Sequence, residues 1–234
     1  MRSHSLARGR YASDLLARVA AGWRRIADDE RRGVASAAHI AADLAALGAP
    51  PAILAASARL IADEVHHLDV CACVLDELDP VGGNLPVRSA TRRRLDLVPR
   101  PLSGESALAR TLVADYAIGK PISAAAFAAA RALSREPLLA WAYTEILRDE
   151  ARHATFGAKT AGWVVRRWSA PARRALWAES LTSAHQTAPR PADPEAESLG
   201  LLPARAGHTL PRWILPHLEP LGIIPPANQS ALVH

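Results

Sequence analysis

The sequence contains very little cysteine and no long hydrophobic run, and each absence excludes a class of protein. Its only cysteines, Cys71 and Cys73, stand two positions apart. On a helix such side chains diverge, so they cannot form a disulfide with each other. They also lack the Cys-x-x-Cys spacing of a thiolate metal site, and free thiols are typical of a reducing cytoplasm. No apolar run approaches the ~18 residues of a membrane span, so we predict a cytoplasmic protein without a membrane partner.

Lysine is also almost absent, although the chain is basic. The formal net charge is +5, and Lys120 and Lys159 are the only lysines, so arginine supplies nearly all of the positive charge. The arginines are spread along the chain and are not gathered into a basic patch interleaved with aromatic residues. That distribution is typical of a solvated surface, and we expect no nucleic-acid partner.

Helix-forming apolar residues, in contrast, are abundant. Hydrophobic residues make up 50% of the chain, alanine and leucine are prominent, and no strand-like alternation occurs, so the predicted fold class is all-α. Apolar residues recur at steps of three and four in 11–47, 52–78, 103–133, 137–168 and 171–185, and each stretch predicts a helix. Within the third stretch, Gly119-Lys120-Pro121 predicts a kink or a local break, because proline lacks a backbone donor.

The links between the predicted helices indicate how they are arranged. The stretch from Gly48 to Pro51 is short enough to make the first two helices antiparallel neighbours. The link from Pro80 to Ser103 is long enough to carry the chain from one end of a bundle to the other. We therefore predict a four-helix bundle with a short fifth helix over residues 1–186. Residues 187–234 are predicted to form a proline-rich extension that wraps the bundle, with disorder near its end.

Two Glu-x-x-His motifs lie on two of these helices, each in phase with an apolar stripe. Glu64 and His67 belong to the second helix, and Glu150 and His153 belong to the fourth. Glu30 lies within the apolar stripe of the first helix, where a solvent-facing glutamate would not stand. Carboxylates and imidazoles that point into a core need partners, and a metal ion is the obvious one. Because Glu and His three residues apart are about one helical turn apart, they can bind the same ion.

These motifs resemble those of the ferritin-like superfamily, nearest its rubrerythrin-like and bacterial di-iron oxidase branch. The resemblance covers about Trp23 to Trp168 and depends on Glu30 and on three short segments. The segments are Ala46-Leu-Gly-Ala-Pro-Pro51, Asp63-Glu-Val-His-His67 and Ile146-Leu-Arg-Asp-Glu-Ala-Arg-His-Ala154. The resemblance implies a ferritin-like four-helix bundle with a long crossover between helices two and three. The metal ligands that it implies are Glu30, Glu64, His67, Glu150 and His153.

The same resemblance implies an activity. Proteins of this kind hold iron, with manganese as an alternative, and activate dioxygen or peroxide. We therefore expect an oxidoreductase whose substrate is dioxygen or a small molecule, and a homodimer is compatible with this class. Iron storage is a weaker hypothesis, because it needs a multi-subunit shell that the proline-rich tail does not suggest. A metal-poor or metal-free bundle that acts as a structural or partner-binding protein is the competing hypothesis.

One position departs from the family pattern. A glutamate ligand is expected on the third helix, but Lys120 stands there, and an ammonium group only donates hydrogen bonds and cannot bind a metal. Three carboxylates and one ammonium sum to minus two, which balances one divalent ion instead of two. Three alternatives stay open: a buried ion cluster without metal, a neutral Lys120 beside a metal, and a replacement ligand from Asp115 or Glu105. We take Lys120 and its stripe neighbour Tyr116 as candidate catalytic residues.

Overall fold

The computed structural model of the protein describes residues 5–79, 104–184 and 192–203. Within these ranges the chain is helical and has no strand, which confirms the all-α prediction. The helices are α1 (Ser13–Ala46), α2 (Pro51–Leu78), α3 (Glu105–Thr111), α4 (Lys120–Leu133), α5 (Pro137–Val164), α6 (Ala170–Ala184) and α7 (Pro194–Ser198), with a π-helical segment (Leu112–Gly119) between α3 and α4. In the described part of the chain, no helix has both the length and the apolar character that crossing a membrane requires.

A glycine ends α1 and a proline begins α2, as the sequence predicts. Gly48 has a φ of +68°, a backbone conformation that residues with a Cβ rarely adopt. The amide of Ala49 then donates to the carbonyl of Leu44 at 2.9 Å. Pro51 occupies the first turn of α2, where its missing N–H costs nothing because that donor has no partner within the helix. The short connection therefore joins two helices that pack along each other.

The predicted interruption of the third helix is a change of hydrogen-bond register and not a break. The amide of Lys120 donates to the carbonyl of Asp115, five residues earlier, at the end of the π-helical segment. Lys120 itself keeps α-helical angles, with φ −61° and ψ −44°, so the helix does not break at this residue. Pro121 offers no N–H to the carbonyl four residues before it, and a wider π turn accommodates the missing donor.

The other predicted helix limits are close to the observed ones, with one early stop. α5 ends at Val164 and not at Trp168, because the next three residues tighten into a 3-10 turn, Val165–Arg167. Tightening of the last turn is common at helix ends, where carbonyls lose their i+4 partners.

The predicted crossover at 80–103 lies outside the described residues, and so does the predicted disorder at the chain's end.

Two hydrophobic clusters fill the interior, and a polar layer separates them. On α1, Ile26 belongs to one cluster and Ala37 to the other, and Glu30 lies between them. On α5, Ile146 belongs to the same cluster as Ile26, and Ala154 belongs to the same cluster as Ala37. The inward polar residues therefore lie at one level of the helices, between the two hydrophobic clusters.

The residues that follow α6 return to the helices. The amide of Arg135, after α4, donates to the carbonyl of Ser198 at 2.9 Å. The hydroxyl of Tyr143 on α5 donates to the carbonyl of Gly200 at 2.8 Å. α7 contacts α1 and α4, so the segment 192–203 packs against the helices and buries Ala196 and Leu199.

Gly157 allows α5 to pack closely against the π-helical segment. A Cβ at this position would overlap the Cβ of Tyr116 and lie 2.7 Å from the amide nitrogen of Ala117. Because the second contact is with backbone, the helices would have to separate. We expect Gly157→Ala to lower the free energy of unfolding by about 1–3 kcal/mol, measured by denaturant titration. Gly9→Ala is the control, since nothing lies within 4 Å of a Cβ there; equal effects of the two substitutions would contradict the prediction.

Candidate metal site

The polar layer gathers side chains from α1, α2, α4 and α5. They are the five ligands implied by the sequence motifs together with Lys120: Glu30, Glu64, His67, Lys120, Glu150 and His153. Glu64, His67, Glu150 and His153 are at most 1% exposed, and Glu30 is 4% exposed. All five motif residues are therefore turned away from water. Charged and polar groups buried to this degree must be compensated by one another or by a bound ion.

One half of the layer consists of two carboxyl groups and an imidazole, which we call the Glu30–Glu64–His67 cluster. Its ligand atoms all lie within 4.8 Å of one another, so the three residues could hold a metal ion. The Nδ1 atom of His67 is 3.3 Å from Oε2 of Glu30 and 4.0 Å from Oε2 of Glu64. Oε2 of Glu64 is buried and meets no hydrogen-bond donor among the described residues. An unsatisfied carboxylate oxygen beside an imidazole is a typical feature of a cation site.

The other half of the layer already contains a cation, and we call it the Lys120 ion cluster. The Nζ atom of Lys120 is 2.9 Å from Oε1 of Glu64 and 3.2 Å from Oε1 of Glu150. The Nδ1 atom of His153 is 3.4 Å from the same Glu64 oxygen and 3.9 Å from the same Glu150 oxygen. Glu64 therefore connects the two halves, with one carboxylate oxygen directed to each.

Each histidine has the aspartate of the opposite motif near its Nε2 atom, and for His153 this contact is a hydrogen bond. Both motifs read Asp-Glu-x-x-His. The Nε2 atom of His67 is 3.5 Å from Asp149, and the Nε2 atom of His153 is 3.2 Å from Asp63. A carboxylate only accepts, so Nδ1–H of His67 donates to Glu30, whereas Nε2–H of His153 donates to Asp63 and leaves Nδ1 of His153 as the acceptor that faces the layer.

Arg152 connects these two aspartates and completes the outer ring of charges. It pairs with Asp63 at 2.8 Å and also with Asp149. The ligand assignment from sequence omitted Asp63, Asp149 and Arg152. The repeated aspartate immediately before each motif glutamate is the signal that could have identified the first two. Gly33 was also missed; a Cβ there would lie 2.6 Å from Oε2 of Glu64, so glycine leaves that oxygen its space.

The two carboxyl groups of the metal-competent half titrate in opposite directions. Burial raises the pKa of Glu64 to about 8, with Lys120 opposing this shift and Glu30 reinforcing it. Burial would also raise the pKa of Glu30, but the hydrogen bond with His67 and the charge of Lys120 outweigh it and lower the pKa to about 2. Glu30 is therefore a permanent anion at neutral pH.

Lys120 and the neighbouring His153 differ in charge: Lys120 is protonated, and His153 is neutral. Burial alone would lower the pKa of Lys120, but the carboxylates of Glu150, Glu30 and Glu64 outweigh it and hold the pKa well above its usual range. Lys120 is therefore an ammonium in the metal-free protein, and the neutral-lysine alternative, which requires a metal beside it, stays a prediction. Burial, with the charge of Lys120 second, lowers the pKa of His153 to about 2. His153 is a neutral imidazole at physiological pH.

A cleft leads from the surface to this layer. Its volume is about 690 Å³, it lies between α1 and the π-helical segment with α4, and Glu30 and Lys120 both border it. Tyr116 borders it too and is 2% exposed. Burial raises the pKa of Tyr116, while a hydrogen bond with Ser36 opposes the shift. Both candidate catalytic residues from the sequence thus border the same cleft.

Comparisons with known proteins do not identify the chain. No family model, curated protein or solved structure matches it. The candidate site is therefore defined by its own geometry: a buried polar layer in which one half could hold a metal ion and the other half is occupied by a lysine ammonium. Asp115 and Glu105, the two substitutes considered for the missing carboxylate, do not belong to the metal-competent group, which consists of Glu30, Glu64 and His67.

Proposed function

We propose that the protein is a ferritin-like metal-binding protein that holds one divalent ion in the Glu30–Glu64–His67 cluster and uses the ammonium of Lys120 in place of a second ion. The observation that carries this proposal is the placement of Nζ of Lys120 at 2.9 Å and 3.2 Å from Glu64 and Glu150. Three carboxylates with one ammonium and one divalent ion sum to zero. Two divalent ions beside the same ammonium would leave an excess positive charge in a buried layer, which is costly.

The donor set of the cluster suits iron or manganese. Two carboxylates and one imidazole are ligands that these divalent ions accept, whereas the absence of thiolate disfavours softer ions. Ligands that lie ~2.0–2.2 Å from an ion are ~3–3.5 Å from one another. The 3.3 Å distance from His67 to Glu30 has this spacing, and the 4.0 Å distance to Glu64 needs only a small movement. Binding of an ion at Nδ1 of His67 would displace the proton that now bonds to Glu30, and Asp149, 3.5 Å from Nε2, would then face the remaining N–H group.

The activity that this site supports best is an oxidation that uses dioxygen or peroxide, and bound iron would supply the redox chemistry. The protein's own residues contribute orientation and exclusion of water. Within the layer, Glu64 and Glu150 are buried and do not border the cleft, whereas Glu30 and Lys120 do. A small molecule can approach through this cleft, and Lys120 offers donors to an oxygen atom that arrives there.

A second candidate function is a metal-free bundle with a structural or partner-binding role. The observation that favours it is the Lys120 ion cluster itself, in which an ammonium already lies between two buried carboxyl groups. In this case the Glu30–His67 contact would be an ordinary buried ion pair. The first candidate function predicts one bound ion per chain and the second predicts none, so one measurement separates them.

The test is elemental analysis of protein reconstituted with ferrous iron, and separately with manganese, after removal of loosely bound ions. We expect one ion per chain and dioxygen consumption by the iron-loaded form. His67→Gln is expected to lose the ion, because it removes a ligand nitrogen. His66→Gln is the matched control, since the neighbouring His66 is exposed and pairs with Glu145 at 3.6 Å outside the layer. No bound ion after loading would support the metal-free bundle, and equal loss in both variants would contradict the assigned cluster.

A further inference from the structure

The cleft beside the polar layer has the dimensions of a small-molecule site. Its volume of about 690 Å³ falls within the ~300–1,000 Å³ of ligand pockets in proteins. Along α1 its wall runs from Ile26 to Ser36, and ten residues of helix extend about 15 Å. The cleft is therefore an elongated space, and Glu30 lies near the middle of its length.

The two ends of the cleft differ in polarity. Beyond Lys120, towards the α7 side, Asp29 and Ser123 also border the cleft, but four apolar side chains dominate its wall: Ile26, Ala126, Phe127 and Leu202. At the opposite end Ser36 and the buried Tyr116 present hydroxyl groups. Lys120 and Phe127 are separated by seven positions of α4, or about 10 Å of helix. A ligand with its polar group at Lys120 thus has room for an apolar tail along α4.

Lys120 has donor capacity left for such a ligand. An ammonium has three N–H groups, and the two carboxylates at 2.9 Å and 3.2 Å account for two of them. The Lys120 side chain is 16% exposed, whereas Glu64 and Glu150 are at most 1% exposed. The carboxylates therefore lie on the buried side of the ammonium, and the cleft lies on its open side.

We propose that the cleft binds a small carboxylic acid with an apolar tail, whose carboxylate pairs with Lys120 while its tail lies against Ala126 and Phe127. This inference rests on the proposed function, because it names the substrate class of the same site. A carboxylate suits the position for two reasons: an ammonium binds it through charge-assisted hydrogen bonds, and Glu30 brings the proposed ion to the same wall of the cleft. Lys120 is then a substrate-binding residue as well as the cation of its cluster.

The probes are octanoate and 1-octanol, which share a tail and differ in the polar group. Calorimetric titration of the manganese-loaded protein is expected to show octanoate bound at least tenfold more tightly than 1-octanol. Lys120→Gln is expected to remove this preference, and Lys159→Gln, which changes the only other lysine, is expected to preserve it. Equal affinities for the two probes in the wild-type protein would overturn the assignment of a carboxylate.

A second pair of variants tests the tail without touching the ion cluster. Ala126→Leu fills the apolar end of the cleft and is expected to weaken octanoate binding at least tenfold. Ala128→Leu is the matched control, because Ala128 is exposed on the same helix and does not border the cleft. Unchanged binding in Ala126→Leu would overturn the placement of the tail. This pair of variants tests where the tail lies even if Lys120→Gln does not fold.

The outcomes separate this inference from the proposed function. Protein that binds one ion per chain but no octanoate would overturn the inference and leave the metal site intact. Protein that binds octanoate with the expected preference but retains no ion would overturn the metal site and leave the cleft assignment standing.

Discussion

Lys120→Met is expected to destabilise the metal-free protein by about 3–5 kcal/mol. The substitution keeps much of the side-chain volume but removes the cation from between Glu64 and Glu150, which are at most 1% exposed. Two buried carboxylates would then face each other without compensation, or would have to take up protons. Chemical denaturation in the presence of a chelator measures the effect as a change in the free energy of unfolding.

Lys159→Met is the control for this experiment. Lys159 lies on the exposed surface of α5, and surface substitutions usually change stability by about 0.5 kcal/mol or less. A loss of less than about 1 kcal/mol in Lys120→Met would mean that the ion cluster does not stabilise the fold. It would also remove the strongest support for the metal-free structural alternative.

Lys120→Glu is expected to raise the metal content from one ion per chain to two. The new carboxylate would replace the ammonium beside Glu64, Glu150 and His153, so that the second half of the layer would gain a ligand and lose its cation. Four carboxylates balance two divalent ions. Elemental analysis after loading with iron or manganese measures the result, and the same samples report whether dioxygen consumption changes.

Lys120→Gln is the comparison for the glutamate variant. It removes the positive charge without supplying a carboxylate, and three carboxylates with a neutral side chain do not balance two divalent ions. We expect it to hold fewer ions than Lys120→Glu. An unchanged single ion in Lys120→Glu would show that Lys120 does not stand at a ligand position, and the analogy with a two-metal layer would then fail.

Much of the fold could be predicted because apolar periodicity and helix-end signals act locally. Gly48 and Pro51 mark the boundary between α1 and α2 in sequence and in structure. The stripes also predicted that Glu30, Glu64 and Glu150 point inward. The effect of Pro121 was harder to predict, because a missing backbone donor can produce a break, a kink or a π turn. The π-helical segment also packs closely against α5 at Gly157. This contact belongs to the tertiary structure and cannot be read from the residues around Pro121.

The reciprocal arrangement of the two motifs could not be read from either motif alone. Asp149 contacts His67 and Asp63 contacts His153, and these pairs are far apart in the chain. Their contact depends on how α2 and α5 face each other. Apolar periodicity predicts which face of each helix is buried. It does not predict which helix packs against that face, or how far the two helices are shifted along each other.

The amino-acid sequence by itself determined that the chain forms helices and that five polar residues, Glu30, Glu64, His67, Glu150 and His153, lie in phase with the apolar faces of their helices, because both properties follow from the local spacing of apolar side chains. Only the tertiary structure decided that Lys120 pairs with Glu64 and Glu150, and that Glu30, Glu64 and His67 form the group that could hold a metal ion. The physical reason is that a charge is compensated by whatever lies within a few ångströms of it. That distance is set by the packing of whole helices and not by position along the chain.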